Sequence, residues 1–286
     1  MFRPNPPPAL QRWRARLALA FLAADGVTRL AHNRHDGPLR LLKALASEDG
    51  QGVEAVIVHP PGGLAGGDSL DLAIELGAGC RVLATTPGAQ KWYRADAPAQ
   101  SQTRLAVGAG ALLEWLPQLA ILFDGARADQ RLAIDVAADG ACIGWEQLAR
   151  GRAAMGERFG SGTLAQSIEL AVAGRLIWRE QLVAAASDPL FGSPLGWNAR
   201  RAAASVWCCA PALPAERLAR LRDRWRDLLA ASVCEAGATL VADGLLLAKL
   251  LGNDNEALQS ACTALWQAAR ISLTGDAGAP PRIWRT

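Results

Sequence analysis

The sequence predicts a mainly β protein whose C-terminal part contains α-helices. Apolar and polar residues alternate with a period of two over most of the first two thirds of the chain, which is typical of half-buried strands. Glycine stands at nearly every break between these runs, and many short strands between glycine turns favour an all-β body over βαβ units. In the last third the apolar spacing changes to the three- and four-residue steps of an amphipathic helix.

The strand prediction is carried by four stretches, in chain order 13–21, 70–76, 132–136 and 168–183. The last stretch contains Ala173-Gly174 near its middle, which predicts the turn of a hairpin. Each stretch is expected to turn one face toward a core, because successive side chains of a strand point to opposite sides.

Two helices are predicted near the C-terminal end. The first covers 214–230 and turns leucines and Trp225 to one face and arginines to the other. The second covers 255–269 and follows Asn253 and Asp254, either of which suits the N-cap.

No linker, repeat or shift in composition divides the chain. The proline-rich start predicts a disordered lead over residues 1–12, followed by one domain over 13–286. Within that domain we expect a β-rich body over 13–210 and a helix-containing part over 211–286. The run 245–251 in the second part is ambiguous between strand and helix.

Composition argues against several classes of protein. The 286 residues are 51% hydrophobic, and 30 basic against 27 acidic residues leave a net charge of +3. So small a charge gives no case for binding nucleic acid or a membrane surface, and the apolar runs are too short to span a bilayer. The six cysteines form no CxxC pair and the start lacks the apolar stretch of a secretory signal. Both observations favour a reduced, cytoplasmic protein.

The most unusual segment runs from His59 to Asp68 and holds four glycines in six residues after two prolines. A phosphate-binding loop is disfavoured, because no Lys-Ser or Lys-Thr follows the glycines and the next element is a strand. A tight structural connection between two strands is favoured instead. His32 and His35 form an HxxH pair, which we interpret as solvated loop residues in preference to metal ligands.

Two carboxylates, Glu180 and Glu114, fall on apolar strand faces. The companions on the same predicted face are Leu176, Trp178 and Leu182 for Glu180, and Leu112 and Leu116 for Glu114. A buried carboxylate is costly unless it is hydrogen-bonded, paired or bound to a cation. An arginine partner would explain each one, and an internal polar path or metal station is the alternative. A catalytic triad is not predicted, because no GxSxG elbow is present.

Motifs recur in a fixed order at 59–68 (HPPGGLAGGD), 85–94 (TTPGAQKWYR), 114–118 (EWLPQ), 123–126 (FDGA), 145–159 and 280–284. Together they resemble the motifs of the UreD family of urease accessory proteins, also called UreH, over nearly the whole chain. The resemblance implies a β-rich fold of two-layered or helically wound sheets with C-terminal helices. It also implies a cytoplasmic, non-catalytic protein that joins UreF and the GTPase UreG on apo-urease and helps convey nickel to the urease active site.

The expected partners are therefore UreF, UreG and the urease apoprotein subunits. No cofactor is expected to be bound permanently, and Ni²⁺ is expected to bind transiently. A relay must accept and release the ion, and sparse carboxylates and waters suit this better than a closed Cys/His cage. An all-β hydrolase that depends on a metal or a carboxylate pair is the alternative function, and it would need a pKa-shifted acid pair or an open metal site. A β-sandwich binding module would lack an interior polar channel.

The candidates for contact with nickel are Asp68, Glu146 and Glu180, with Glu114 and Glu157 in second rank. A salt bridge to an arginine is the alternative for each of them. Further motif positions are expected to serve the structure or a partner surface, namely His59, Gly62, Gly63, Gly66, Gly67, Thr86, Pro87, Gly88 and Arg282.

Overall fold

The computed structural model describes residues 12–47 and 50–285. Strands are the main element of this part of the chain, and two α-helices lie near its C-terminal end. The predicted mainly β class with C-terminal helices is therefore confirmed. The lead predicted over residues 1–12 lies outside the described residues, except for Arg12.

The strands of the described ranges, in chain order, are β1 (Arg14–Ala24), β2 (Val27–Asp36), β3 (Arg40–Ala46), β4 (Val53–Val58), β5 (Gly63–Leu64), β6 (Ser69–Leu76), β7 (Arg81–Thr85), β8 (Gln90–Trp92), β9 (Ala99–Val107), β10 (Leu112–Leu116), β11 (Ala120–Leu122), β12 (Arg127–Val136), β13 (Ala141–Arg150), β14 (Thr163–Val172), β15 (Arg175–Ala185), β16 (Ala202–Cys209), β17 (Glu235–Ala242) and β18 (Leu245–Gly252). The α-helices are α1 (Ala215–Ala230) and α2 (Asn255–Thr274), and short 3-10 turns occur at Ala153–Met155, Pro189–Phe191 and Arg282–Arg285.

The strands form two sheets between which the chain alternates. One sheet has the spatial order β15-β14-β12-β9-β6-β1-β2, and the other has the order β17-β18-β16-β13-β10-β7-β4-β3 with β11, β8 and β5 attached. Neighbours from β1 to β14 in the first sheet, and from β4 to β13 in the second, run parallel. Because consecutive parallel neighbours are joined through the opposite layer, no helical crossover is needed. This is the wound, two-layered arrangement that the family resemblance implied.

The predicted strands agree with this topology. The stretches at 13–21, 70–76 and 132–136 fall in β1, β6 and β12, and 168–183 forms the antiparallel hairpin of β14 and β15. The ambiguous run 245–251 is strand β18, which is paired on both sides.

One expected side-chain direction was wrong. Leu176 is 46% exposed and does not share the inward face of Trp178 and Glu180. The register of the hairpin shifts between Leu170 and Ala171, and the extra residue on β15 reverses the alternation there.

Two apolar cores lie on opposite faces of the larger sheet. One fills the space between the sheets and the other lies between the larger sheet and the helices. All five residues of β10 are therefore buried, as expected for a strand covered on both faces. Trp225 of α1 and Trp266 of α2 anchor the helices to the second core.

Helix α2 begins as predicted, because the Asp254 carboxylate accepts hydrogen bonds from the backbone N–H groups of Glu256 and Ala257. It continues to Thr274, five residues beyond the predicted end. In the described ranges neither helix combines the length and apolar character that crossing a bilayer would require.

Candidate functional site

A cavity of about 370 Å³ lies between the two sheets, where three strands of the larger sheet are interrupted side by side. Strands β4, β7 and β10 are parallel neighbours, and each continues through a bent loop into β5, β8 and β11, which pair in the same order. The loops that line the cavity therefore lie next to each other because parallel strands end at the same edge. This arrangement brings three separate sequence motifs to one wall.

Each interrupted strand contributes polar groups to the cavity wall. His59 follows β4, Thr86 follows β7, and Gln118 follows β10. The Thr86 hydroxyl oxygen accepts a hydrogen bond of 2.9 Å from the backbone N–H of Gln118, which holds two of the loops together. Pro87 and Gly88 line the cavity beside Thr86.

Glu146 is the only acidic residue among the described residues that line this cavity. It lies on β13, which runs uninterrupted past the gap, and it is 8% exposed. Trp115 Nε1 donates to Oε1 at 3.0 Å and Gln130 Nε2 donates to Oε2 at 2.5 Å. No ion pair to Glu146 is formed within the described residues.

Burial raises the pKa of Glu146 to about 7, and the hydrogen bonds from Trp115 and Gln130 oppose this rise only in part. At neutral pH the carboxyl group is thus divided between its protonated and ionised forms. A buried carboxylate without a cationic partner is the kind of group that a metal ion stabilises.

Several other buried atoms of the cavity wall lack a hydrogen-bond partner in the described structure. They include both ring nitrogens of His59, Nε2 of Gln90 and Gln118, and Oε1 of Gln130. Burial lowers the pKa of His59, with the Asp68 charge opposing it, so the neutral imidazole with a free lone pair is favoured. Unpartnered buried polar groups are rare in folded proteins, and this group of them fits water or an ion in the cavity.

A row of polar side chains continues from Glu146 toward the surface. Ser205 on β16 is the register partner of Glu146, and Lys249 on β18 is the register partner of Ser205. The Ser205 hydroxyl lies 3.0 and 3.1 Å from the two carboxylate oxygens of Glu180, which belongs to the opposite sheet. Lys249 forms an ion pair with Glu180, and its side chain is 52% exposed. The row therefore leads from a buried carboxyl to a partly exposed one.

The predicted candidates Glu146 and Glu180 are thus placed along one interior row. Asp68 is placed differently: it accepts hydrogen bonds of 2.9 Å from Trp13 N–H and 2.8 Å from Ala65 N–H. Its carboxylate closes the glycine-rich loop behind His59 and does not line the cavity. This position favours a structural role for Asp68.

Glu114 lies on the opposite face of the larger sheet, with Leu112 and Leu116 as predicted, and faces the helices. It pairs with Arg270 and accepts a hydrogen bond from Trp266 Nε1. Burial raises the pKa of Glu114, while the Arg270 charge opposes the rise. The arginine-partner alternative therefore describes Glu114.

Glu157 is also outside the cavity. It pairs with Arg152 and accepts a 3.3 Å hydrogen bond from the backbone N–H of Asp124. The Arg152 hydrogen bond lowers the pKa of Glu157. An arginine partner again explains the carboxylate.

The glycines of the 59–68 motif are needed at their positions for different structural reasons. A Cβ at Gly63 would lie 2.5 Å from the Tyr93 ring and 2.7 Å from the Lys91 carbonyl oxygen, so no side chain fits there. Gly62 and Gly67 have positive φ angles of 76° and 85°, and Gly66 packs closely against the 95–97 segment. Gly62 and Gly63 line the cavity.

Arg282 lies exposed in the terminal 3-10 turn and is not part of the cavity wall. The same turn carries Trp284, whose Nε1 donates a 2.8 Å hydrogen bond to the Thr85 hydroxyl. The terminal motif therefore braces the end of β7 from the side that faces the helices.

His32 and His35 lie exposed on β2. Because they are three residues apart on a strand, their side chains point to opposite faces, which argues against a shared metal site. No group of three potential metal-binding side chains occurs among the described residues.

Sequence reasoning missed Gln90, Gln118, Gln130, Ser205 and Lys249. A signal was present for three of them, because Gln130, Ser205 and Lys249 stand at inward positions of otherwise apolar strand faces. The alternation of apolar and polar residues does not show which strands pair, and strand pairing is what places these residues in one row.

The chain was also compared with known proteins. The family described as "UreD urease accessory protein" matches residues 14–285. The chain is 40% identical over 275 residues to the "Urease accessory protein UreD" of Dechloromonas aromatica, covering 96% of this chain and 95% of the relative. The proteins of that name from Cupriavidus metallidurans and Pseudomonas aeruginosa are 38% and 36% identical, with the same coverage of both chains.

Proposed function

This chain belongs to the UreD family of urease accessory proteins, and from that premise we propose that it conveys Ni²⁺ through its interior toward the urease active site. It is an accessory protein and not an enzyme, as its relatives are named. The observation that carries the proposal is Glu146, a buried carboxyl without a cationic partner in a polar cavity between the sheets.

The donor atoms around the cavity suit a divalent ion that must also leave. Ni²⁺ accepts imidazole nitrogen and carboxylate or carbonyl oxygen, and His59, Glu146 and Gln130 offer these atoms. The described residues offer no cluster of three acidic, histidine or cysteine side chains, so binding along the row would be weak and successive. Conduction requires sites of this kind, because a tight site would retain the ion.

The exposed fractions of the two carboxylates show which end of the route is nearer the surface. Glu180, at 23% side-chain exposure, is reached from the surface, whereas Glu146 lies inside. An ion would pass between them along Ser205, which is the register partner of Glu146 and touches Glu180.

We also propose that the chain acts in the cytoplasm with UreF, UreG and the urease apoprotein. The name of the relatives supports urease as a partner, and the family resemblance supports UreF and UreG. Six cysteines without disulfide bonds are consistent with a reducing compartment.

The hydrolase alternative receives less support. A carboxylate-dependent hydrolase works with a pair of acids, and Glu146 is the single acidic residue in the described wall of the cavity.

The test is urease activation in cells that lack this gene and carry plasmid copies of it. We expect wild-type protein to restore urease nickel, measured by mass spectrometry on purified urease. E146Q should lower the nickel content severalfold while still co-purifying with urease. The matched control is E169Q, which alters an exposed carboxylate paired with Arg179 on the smaller sheet. Full nickel loading with E146Q would reject this route, and active urease without the gene would reject the maturation role.

A further inference from the structure

We propose that Lys249 is a tethered counter-cation of the interior row: its ammonium group occupies the position at Glu180 and Ser205 that a divalent cation would take. The ion enters when the lysine swings out to solvent and is released when the lysine returns. This inference rests on the proposed function and concerns how passage through that row is regulated.

The contacts of the ammonium group are those that a bound cation would make. Lys249 Nζ forms an ion pair with the Glu180 carboxylate and donates a hydrogen bond of 2.7 Å to Ser205 Oγ. Ser205 in turn lies 3.0 and 3.1 Å from the two oxygens of Glu180. The two carboxylate oxygens of Glu180 and the hydroxyl oxygen of Ser205 thus all have contacts within this group of three side chains.

Lys249 also stands where a lysine is unexpected. It lies between Leu247 and Leu251 on the inward face of β18, a position that alternation assigns to an apolar residue. A half-buried Glu180 could be neutralised by any cation, but a lysine carries a compact charge on a flexible stem. Such a group can exchange with a metal ion more readily than a bidentate arginine.

The structure leaves room for the lysine to move. Its side chain is 52% exposed, and ion pairs at such positions are weak and screened by salt. Its register partner on β17 is Gly237, where an added Cβ would meet nothing within 4 Å. Directly opposed residues of paired strands share a face, so the space beside Gly237 is open to the Lys249 side chain.

The test is Ni²⁺ binding to the purified full-length chain, measured by isothermal titration calorimetry at pH 7 with nickel chloride. K249M removes the charge and keeps the length of the stem, and it should raise the nickel affinity at least about tenfold, because a nearby like charge no longer repels the ion. K249R keeps the charge and can bind the Glu180 carboxylate in a bidentate manner, so its nickel affinity should be no higher than that of the wild type. K43M, which changes an exposed lysine of β3, is the matched control and should also stay there.

A double variant shows where the gained affinity resides. In E180Q/K249M the gain should disappear, because the carboxylate that binds the ion is gone. A wild-type affinity in K249M, or a gain that persists in the double variant, would overturn the inference. K249Q replaces K249M if the latter loses the native circular dichroism spectrum, and the same outcomes apply.

The two proposals fail separately. Unchanged nickel affinity in K249M together with lowered urease nickel in E146Q would reject the proposed role of Lys249 and support the route through Glu146. Raised nickel affinity in K249M together with full urease nickel in E146Q would support the proposed role of Lys249 and reject the route through Glu146.

Discussion

Gln130 and Glu146 join the two sheets through a hydrogen bond of 2.5 Å. Gln130 lies on β12 of the smaller sheet and Glu146 lies on β13 of the larger one. These strands follow each other in the chain, and the winding from one layer to the other places them face to face. The one acidic side chain in the described cavity wall is therefore also a point where the two layers are connected.

The raised pKa of Glu146 predicts a pH-dependent stability. The pKa rises from 4.5 to about 7 on folding, so the folded state binds more protons than the unfolded state between these values. The stabilising contribution of the Glu146 carboxyl is therefore complete below about pH 4.5 and is lost as the pH rises through 7. The loss amounts to at most about 3 kcal/mol.

E146Q should abolish this dependence. Urea unfolding at pH 5 and pH 8 should show that the free energy of unfolding of E146Q relative to wild type increases toward pH 8. A difference that does not change with pH would mean that Glu146 has an ordinary pKa in the folded protein.

The buried pair of Glu114 and Arg270 predicts a large cost for removing one partner. R270M leaves a buried carboxyl unpaired beneath α2, and it should lower the free energy of unfolding by about 3–5 kcal/mol. The double variant E114L/R270M removes both charges and should recover most of this loss.

Chemical denaturation of the single and double variants measures both effects. The control is D71A/R104A, which removes an exposed pair on the smaller sheet and should change the free energy of unfolding by less than about 1 kcal/mol. If R270M costs no more than this control, the buried pair contributes little to the stability.

The close packing at Gly63 predicts that even a methyl group is not tolerated there. G63A should lower the free energy of unfolding by about 1–3 kcal/mol, because its Cβ would overlap the Tyr93 ring and the Lys91 carbonyl oxygen. G88A is the matched control, since an added Cβ at Gly88 meets nothing within 4 Å; it should stay within about 0.5 kcal/mol of wild type. Equal melting temperatures of the two variants would show that the loop relaxes around the methyl group.

The cysteines are predicted to differ in reactivity. Burial raises the pKa of Cys142 and of Cys208 to about 12, and it raises the pKa of Cys209 and Cys262 as well. Cys234 is the only partly exposed cysteine among the described residues, so it should react first with an aromatic disulfide reagent at pH 8.

Thiol counting measures this prediction. The native protein should release about one equivalent quickly, and C234S should release almost none on the same timescale. Rapid reaction of several thiols in the native C234S variant would show that the cores holding the other cysteines open readily.

The sequence by itself determined the class of the fold and much of its local structure. Alternation located strands β1, β6, β12 and the β14–β15 hairpin, and helical spacing with Asp254 located α2. Alternation also predicted that Glu180 and Glu114 point inward, because side-chain direction in a regular strand depends only on nearby residues. Alternation did not predict the bulge that exposes Leu176, because an extra residue in one strand is defined only by comparison with the partner strand.

Only the tertiary structure decided which inward-facing groups meet. Glu114 and Glu146 have the same local character, yet one faces the helices and Arg270, and the other faces the cavity and Gln130. Ser205 and Lys249 contact Glu180 across the two sheets, although they lie 25 and 69 residues from it in the sequence. Pairing of distant strands is set by the burial of whole sheet faces, and no local pattern of residues contains that information.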